Sequence, residues 1–223
     1  MEYPNIIYGK FIERPNRFVA VVEIDNHREV VHVKNTGRCK ELLLPGVKVA
    51  LTEPGGTNRK TRYDLVAVWK KNLGWVNIDS QAPNKLVEEW LKSGRSLFKH
   101  ITYLKPEYRY GQSRIDFYLE EGPKKILMEV KGCTLEVDGL GYFPDAPTER
   151  GVKHLKELTA AVQKGYNSYL AFVIAMPHVT RVLPNVATHP ESGTALVAAQ
   201  KAGVKLLYLP CQVSAGKINV KKF

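Results

Sequence analysis

Apolar and polar residues along the first third of the chain follow the two-residue rhythm of half-buried strands. Phe18, Ala20, Val22 and Ile24 alternate with Val19, Val21, Glu23 and Asp25, and after Asp25-Asn26-His27 the run Glu29 to Lys34 turns back, which predicts a hairpin. Val47 to Leu51 reads as a further strand ended by Pro54-Gly55-Gly56, and Leu65 to Trp69 pairs with Trp75 to Ile78 across Asn72 to Gly74. Five or six strands in roughly 80 residues with little helix predict a small closed β-barrel, OB-like, although an SH3-like barrel gives much the same pattern.

From residue 81 the rhythm changes. Leu86, Val87, Trp90 and Leu91 recur at helical spacing after Pro83-Asn84, and Ser93-Gly94 closes that helix. Three strands follow, Thr102 to Tyr110, Arg114 to Leu119 and Ile126 to Lys131. The polar, glycine-rich stretch Glu136 to Pro147 leads into a second helix that starts at Asp145 or Thr148, stops at Gly165 and carries Val152, Leu155, Leu158 and Val162 as its apolar stripe. Tyr169 to Ala175 is apolar throughout, as in a strand buried on both faces. A third helix, about Ser192 to Ala202 and capped by Gly203, precedes a last strand, Lys205 to Leu209. The chain therefore reads as a mixed α/β (α+β) protein: a barrel over residues 1–80, then a mixed-sheet domain over residues 81–223.

With 44% hydrophobic and 25% charged residues, the chain is neither disordered nor fibrous. Its longest apolar run, Tyr169 to Met176, is far short of the ~20 residues of a membrane helix. Glu2, Pro4 and Asn5 stand where the apolar core of a signal peptide would begin. Cys39, Cys133 and Cys211 form no CxxC unit, so a reducing cytoplasm is expected and no membrane partner. Charge changes the picture more. Lys and Arg number 33 against 22 Asp and Glu, a net of +11. The excess is spread over both halves: residues 1–80 hold 13 basic and 9 acidic side chains, residues 81–223 hold 20 and 13. A folded basic surface attracts polyanions, most commonly nucleic acid; a solubility surface is the plain alternative.

Candidate chemistry gathers on one hairpin. Strand alternation puts Arg114, Asp116 and Tyr118 on one face and Ile115 and Phe117 on the other; Glu129 and Lys131 likewise share a face opposite Met128 and Val130. With the loop Glu120 to Lys125 centred, Leu119 pairs with Ile126 and Asp116 with Glu129. Two carboxylates at ~4 Å repel by roughly 4 kcal/mol at an effective dielectric of 20. A divalent cation relieves this, and Lys131 on the same face adds charge for a water or a phosphate, a constellation suited to phosphodiester cleavage. A register slipped by two instead sets Asp116 opposite Lys131 as a salt bridge without chemistry. In the helix that follows, Arg150 and His154 are four residues apart and share a face that meets a phosphate above the acids, or simply solvent.

Other strings carry less. Gly55-Gly56-Thr57-Asn58-Arg59-Lys60-Thr61 lacks the second glycine and the helix of a P-loop, so nucleotide binding is rejected there. As a barrel loop it presents Arg59, Lys60 and Arg62 beside Tyr63, a combination suited to nucleic acid. Trp69 and Trp75 have rings that stack bases, but their strand positions read as core. Thr36, Gly37 and Arg38 make a tight polar turn, a phosphate nest or a plain turn. The six histidines show no zinc spacing.

The sequence resembles the sugar fermentation stimulation protein A family. The likeness lies in Ser113-Arg114-Ile115-Asp116-Phe117, in Glu129-Val130-Lys131, and in Gly141-Tyr142-Phe143-Pro144-Asp145-Ala146 leading to Thr148-Glu149-Arg150-Gly151 and Lys153-His154-Leu155. Asn35-Thr36-Gly37 and Asn58-Arg59-Lys60 also match family positions, and the order holds over nearly the whole chain. The resemblance implies an N-terminal OB-like barrel and a C-terminal domain of the PD-(D/E)xK nuclease type. Carried across, Asp116, Glu129 and Lys131 are the catalytic group, and Asp116, Glu129 and Val130 hold Mg²⁺ or Mn²⁺. Glu88, Glu89 or Glu107 is a candidate further acid. Nucleic-acid contact falls to Arg114, Arg150, Lys153, His154, Arg59, Lys60, Arg62 and Arg38. DNA is the implied partner, with RNA and a homodimer left open. Two readings follow: a metal-dependent nuclease, or a DNA-binding regulator of sugar-metabolism genes that keeps the nuclease fold and cuts nothing.

Overall fold

The computed structural model describes residues 1–35, 37–56 and 59–221; Thr36 of the polar turn and Thr57 and Asn58 of the basic loop lie outside the described residues. Strands β1 (Ile6–Asn16), β2 (Val19–Ile24), β3 (His27–Val33), β4 (Lys48–Thr52), β5 (Asp64–Lys70) and β6 (Gly74–Asn77) form the first unit. Their order is β3-β2-β1-β4-β5-β6, and a parallel β3–β5 pairing closes the sheet into an OB-type barrel. The alternation in β2 is as expected, with Ala20, Val22 and Ile24 buried and their neighbours half-buried. Ile24 faces His27 across the two-residue loop Asp25-Asn26, whose φ angles of +49° and +63° give the turn that matches the strand twist. The long β1 is not legible in the pattern because its register shifts twice, between Phe11 and Glu13 and between Glu13 and Asn16, which breaks the alternation.

The second unit contains α1 (Ala82–Lys92), β7 (Ile101–Tyr110), β8 (Ser113–Glu121), β9 (Lys124–Cys133), β10 (Leu135–Val137), β11 (Leu140–Phe143), α2 (Glu149–Gln163), β12 (Asn167–Ile174), β13 (Val182–Pro184), α3 (Pro190–Lys201), β14 (Lys205–Val213) and β15 (Ile218–Val220). Helix α1 begins earlier than expected because Pro83, in its first turn, needs no N–H there. Thr148 is the N-cap of α2, its hydroxyl accepting from the Gly151 N–H at 3.0 Å. The main sheet runs β15-β14-β12-β9-β8-β7, with β12 parallel to both β9 and β14. Strand β12 is buried on both faces as its apolar run predicts: Leu170 and Phe172 pack with Leu155 and Leu158 of α2, Ala171 and Val173 with Leu86, Val87 and Trp90 of α1. The glycine-rich stretch before α2 holds β10 and β11, paired through the Asp138-Gly139 turn, and β11 runs parallel to β13. Strands of three or four residues are too short to show a period.

The two units are closely tied. One apolar cluster runs from Phe11, Leu51 and Leu65 in the barrel to Leu155, Leu158 and Phe172 in the second unit. Lys70 reaches Glu136 at 2.5 Å, the Asn77 N–H donates to the Ala175 carbonyl at 2.9 Å, and the Ser80 N–H donates to the Lys34 carbonyl at 2.8 Å. The first residues cross over: the Tyr3 N–H donates to the Gly216 carbonyl and the Ile218 N–H to that of Met1. Between the units lies a cleft of about 520 Å³, with Asn35, Gly37, Asp79, Lys131, Asp145 and Arg150 on its walls. No helix among the described residues is long and apolar enough to cross a membrane.

Gly141 explains one glycine of the family string. A Cβ there would lie 2.9 Å from the Arg181 carbonyl oxygen and 3.0 Å from Cys133 Sγ, so only glycine lets β11 close on β13. Gly141→Ala should destabilise by roughly 1–3 kcal/mol in urea unfolding. An unchanged midpoint would show that this contact relaxes freely.

Candidate active site

Leu119 pairs with Ile126 and Phe117 with Met128, the register of a centred loop, so the next positions are Asp116 and Glu129. There the main-chain ladder stops. The Val130 N–H donates instead to Asp116 Oδ2 at 2.7 Å, a side chain taking the place of a strand carbonyl. On the other side, β7 pairs Pro106 with Phe117 and Tyr108 with Ile115, while Glu107 between them has φ of +52°. The alternation expected for β8 therefore fails at Asp116. Ile115 packs in the cluster of Tyr118 and Leu127, whereas Phe117 and Leu119 pack in the other, with α1. Asp116 sits at this break, where the sheet opens. In β9 the expected faces hold: Met128 and Val130 pack toward α1, and Glu129 and Lys131 turn toward α2.

Asn84, in the first turn of α1, donates to Asp116 Oδ1 at 2.8 Å. Glu129 is 1% exposed. Its Oε1 receives the Lys131 ammonium at 2.5 Å and the His154 Nδ1–H. Arg150 Nε, a donor only, approaches His154 Nε2 at 3.4 Å, which assigns the ring's lone pair to Nε2 and its proton to Nδ1. Glu129 Oε2 is buried and has no hydrogen-bond partner among the described residues. A buried carboxylate oxygen left bare is costly.

Burial, and after it the negative charge of Glu129, raises the Asp116 carboxyl above its ordinary value; the Val130 N–H, Lys131 and Asn84 offset part of this. Burial also pushes Glu129 up, but the hydrogen bond from His154 and the charge of Lys131 outweigh it and hold Glu129 below the usual range. The two acids are thus pushed in opposite directions. Burial drives all three thiols up to about 12, so Cys39, Cys133 and Cys211 are inert packing residues.

The structure brings Asp116, Glu129, Val130, Lys131, Arg150 and His154 together. His154 is buried against Glu129, with its ring turned inward rather than toward an open phosphate site. Arg150 and Lys131 line the cleft. Arg114 is exposed and pairs with Glu107 at 3.4 Å, and Lys153 is exposed with Glu157 at 4.0 Å. On the barrel, Arg59 pairs with Asp64 and Arg62 with Glu53, while Lys60 and Arg38 are exposed. The expected further acid is not supplied. Glu88 pairs with Lys92, Glu89 with the chain's amino terminus and Glu107 with Arg114, and no three His, Cys, Asp or Glu of the described residues cluster to hold a metal. Asn84 was not legible as a site residue, because 32 residues separate it from Asp116 and only α1 packing on β9 joins them. The cleft also joins two of the family strings: a Cβ on Gly37 would lie 2.7 Å from Asp145 Oδ2.

An OB barrel followed by a six-stranded mixed sheet, with paired acids where that sheet opens, defines the class of this protein. Residues 12–78 match the family described as SfsA N-terminal OB domain, and residues 81–217 the one described as Sugar fermentation stimulation protein RE domain. The chain belongs to the sugar fermentation stimulation protein family. It is 52% identical over 223 residues to a sugar fermentation stimulation protein homolog of Desulfitobacterium hafniense, covering 100% of this chain and 96% of that protein. It is 50% identical to a homolog of Clostridium beijerinckii, covering 100% and 98%. Among solved structures, that of Pyrococcus furiosus SfsA in complex with Ca²⁺ is similar over 100% of this chain and 96% of that one, at 29% identity and a TM-score of 0.90.

Two outcomes are expected from these charges. Because the folded value of Asp116 is raised, the native state holds that proton more tightly than the unfolded chain, and stability is lost as pH rises through the folded value. In EDTA, Asp116→Asn, which keeps an acceptor for the Val130 N–H, should raise the unfolding midpoint at neutral pH, and the gain should vanish toward the acid range. A midpoint lowered at neutral pH contradicts the repulsion. His154→Ala, which removes a donor from buried Glu129, should cost about 1–3 kcal/mol in the same assay.

Proposed function

We propose that this protein is a divalent-cation-dependent nuclease acting on DNA phosphodiesters. The observation that carries the reading is the buried, unpartnered Oε2 of Glu129, one strand away from Asp116. Two carboxylates and a free lone pair are the donor set of a hard cation. Asp116 and Glu129 would hold Mg²⁺ or Mn²⁺, with the main chain at Val130 beside them. A cation bound there supplies Lewis acidity to a phosphoryl oxygen. The Ca²⁺ complex of the P. furiosus relative supports the cation part of the reading.

The chain's own residues do the remaining work. Lys131, tethered to Glu129 and lining the cleft, sets a positive charge where phosphate charge develops. His154 holds Glu129 in place, and Arg150 holds His154 while facing the cleft. The net charge of +11 favours a polyanionic substrate.

A second reading is a DNA-binding regulator that cuts nothing. It is favoured by one observation: Lys131 and His154 already occupy Glu129 Oε1, and no third acid joins the pair among the described residues. One experiment separates the two. Plasmid and single-stranded DNA incubated with Mn²⁺ or Mg²⁺ should be cut by the wild type and left intact by Glu129→Ala. Gel shifts that survive Glu129→Ala, with no cutting by either protein, select the regulator. Independently of turnover, Ca²⁺ at about 100 times its Kd should stabilise the wild type by about 2.7 kcal/mol, a rise of several degrees in Tm that Glu129→Gln lacks.

A further inference from the structure

The outer face of the barrel carries a group of side chains that the cleft does not use. Tyr8 and Lys10 lie on β1, Lys48 on β4, Trp69 on β5 and Trp75 on β6. The two tryptophans read as core in the sequence, yet Trp69 is 43% exposed and Tyr8 51% exposed. Trp75 stands between them, its ring centroid 5.8 Å from that of Tyr8 and 5.5 Å from that of Trp69. Lys48 Nζ lies 4.3 Å from the Tyr8 centroid and 5.7 Å from that of Trp75. Leaving such rings in water forgoes a large burial energy, so the patch is suited to a partner. At its other end the face is closed by Ala215 of the second unit over Ala50 and Ala67, so the open rings adjoin that unit.

A second, independent observation gives the partner's charge. Lys10 and Lys48 are directly opposite each other in the β1–β4 register. Like charges at such positions weaken a sheet. Glu23 at 3.6 Å answers Lys10, but no carboxylate of the described residues lies within ion-pair distance of Lys48. An anion beside Lys48 removes the conflict. The cores of protein interfaces are depleted in lysine, which argues against a second copy of this chain over a face with Lys48 among its rings. A partner that is anionic and offers flat rings is a nucleic-acid strand. Only unpaired bases have free faces to lay on Trp69 and Tyr8.

We infer that this face is a stacking platform for single-stranded DNA, separate from the paired acids. The inference rests on the reading of DNA as the partner and extends it to strandedness. The test is fluorescence binding in EDTA, where no cutting occurs, with a 20-nucleotide oligothymidylate and a duplex of equal length. Oligothymidylate should quench tryptophan emission in the wild type. Trp69→Ala and Tyr8→Ala, both at half-exposed positions, should each weaken its binding by about tenfold. Trp69→Phe should retain most of that binding, and duplex affinity should not move. Lys48→Ala should lower the salt slope by about one. Unchanged oligothymidylate affinity in Trp69→Ala, an equal loss on duplex, tighter binding of oligouridylate, or a wild-type dimer that Trp69→Ala dissolves would each overturn the platform. Any of these leaves the comparison of wild type with Glu129→Ala in the cleavage assay standing, so the two readings fail separately.

Discussion

Two carboxylates on neighbouring strands, one of them fully buried, repel each other, and much of the second domain is arranged around that repulsion. Glu129 cannot stay ionised in an apolar sheet without donors. Lys131 supplies one from its own strand and His154 another from α2. Asp116 is answered by a main-chain N–H and by Asn84 from α1. Helices on both faces of the sheet thus contribute a polar side chain to the same pair. The balance is incomplete: Asp116 is held above its ordinary range and Glu129 keeps a bare oxygen. In the proposed function a cation would supply the missing positive charge, so the local unfavourable term and the proposed activity would have one origin.

The break in the sheet is what fixes the orientation of Asp116. If β8 and β9 continued their ladder past Phe117 and Met128, Asp116 would bond through its backbone and its carboxylate would be free to turn away. Because the side chain takes the Val130 N–H instead, the acid is fixed in orientation at the sheet's opening. The kink at Glu107 carries β7 through the same change of face, so the hairpin bends without losing its pairing.

The barrel completes this arrangement from outside. Asn35, Gly37 and Asp79 form one wall of the cleft that Lys131 and Arg150 line from the other side. The linker between the units is pinned through Ser80 and Lys34, and Lys34 also pairs with Asp79 at 2.9 Å. With few free torsions between them, the barrel and the mixed sheet form one continuous surface, with the cleft in one place and the exposed rings in another.

Local chemistry made much of this visible in the residues themselves. The Asp25-Asn26 turn, the alternation in β2, the apolar run of β12 and the Gly122-Pro123 loop that sets Leu119 opposite Ile126 each depend on neighbours within a few positions, and each is legible in the chain. So is the shared face of Glu129 and Lys131, since alternation within one strand needs no partner. What the sequence could not decide lies in contacts between distant segments. The bulged β1, the short β10, β11 and β13, the switch of Ile115 to the other face, the role of Asn84 and the inward turn of His154 all depend on which surfaces meet. Trp69 is the plainest case. Its strand position and its apolar ring predict burial, and only the closure of the barrel, with the second domain covering one end of that face and not the other, leaves it in water.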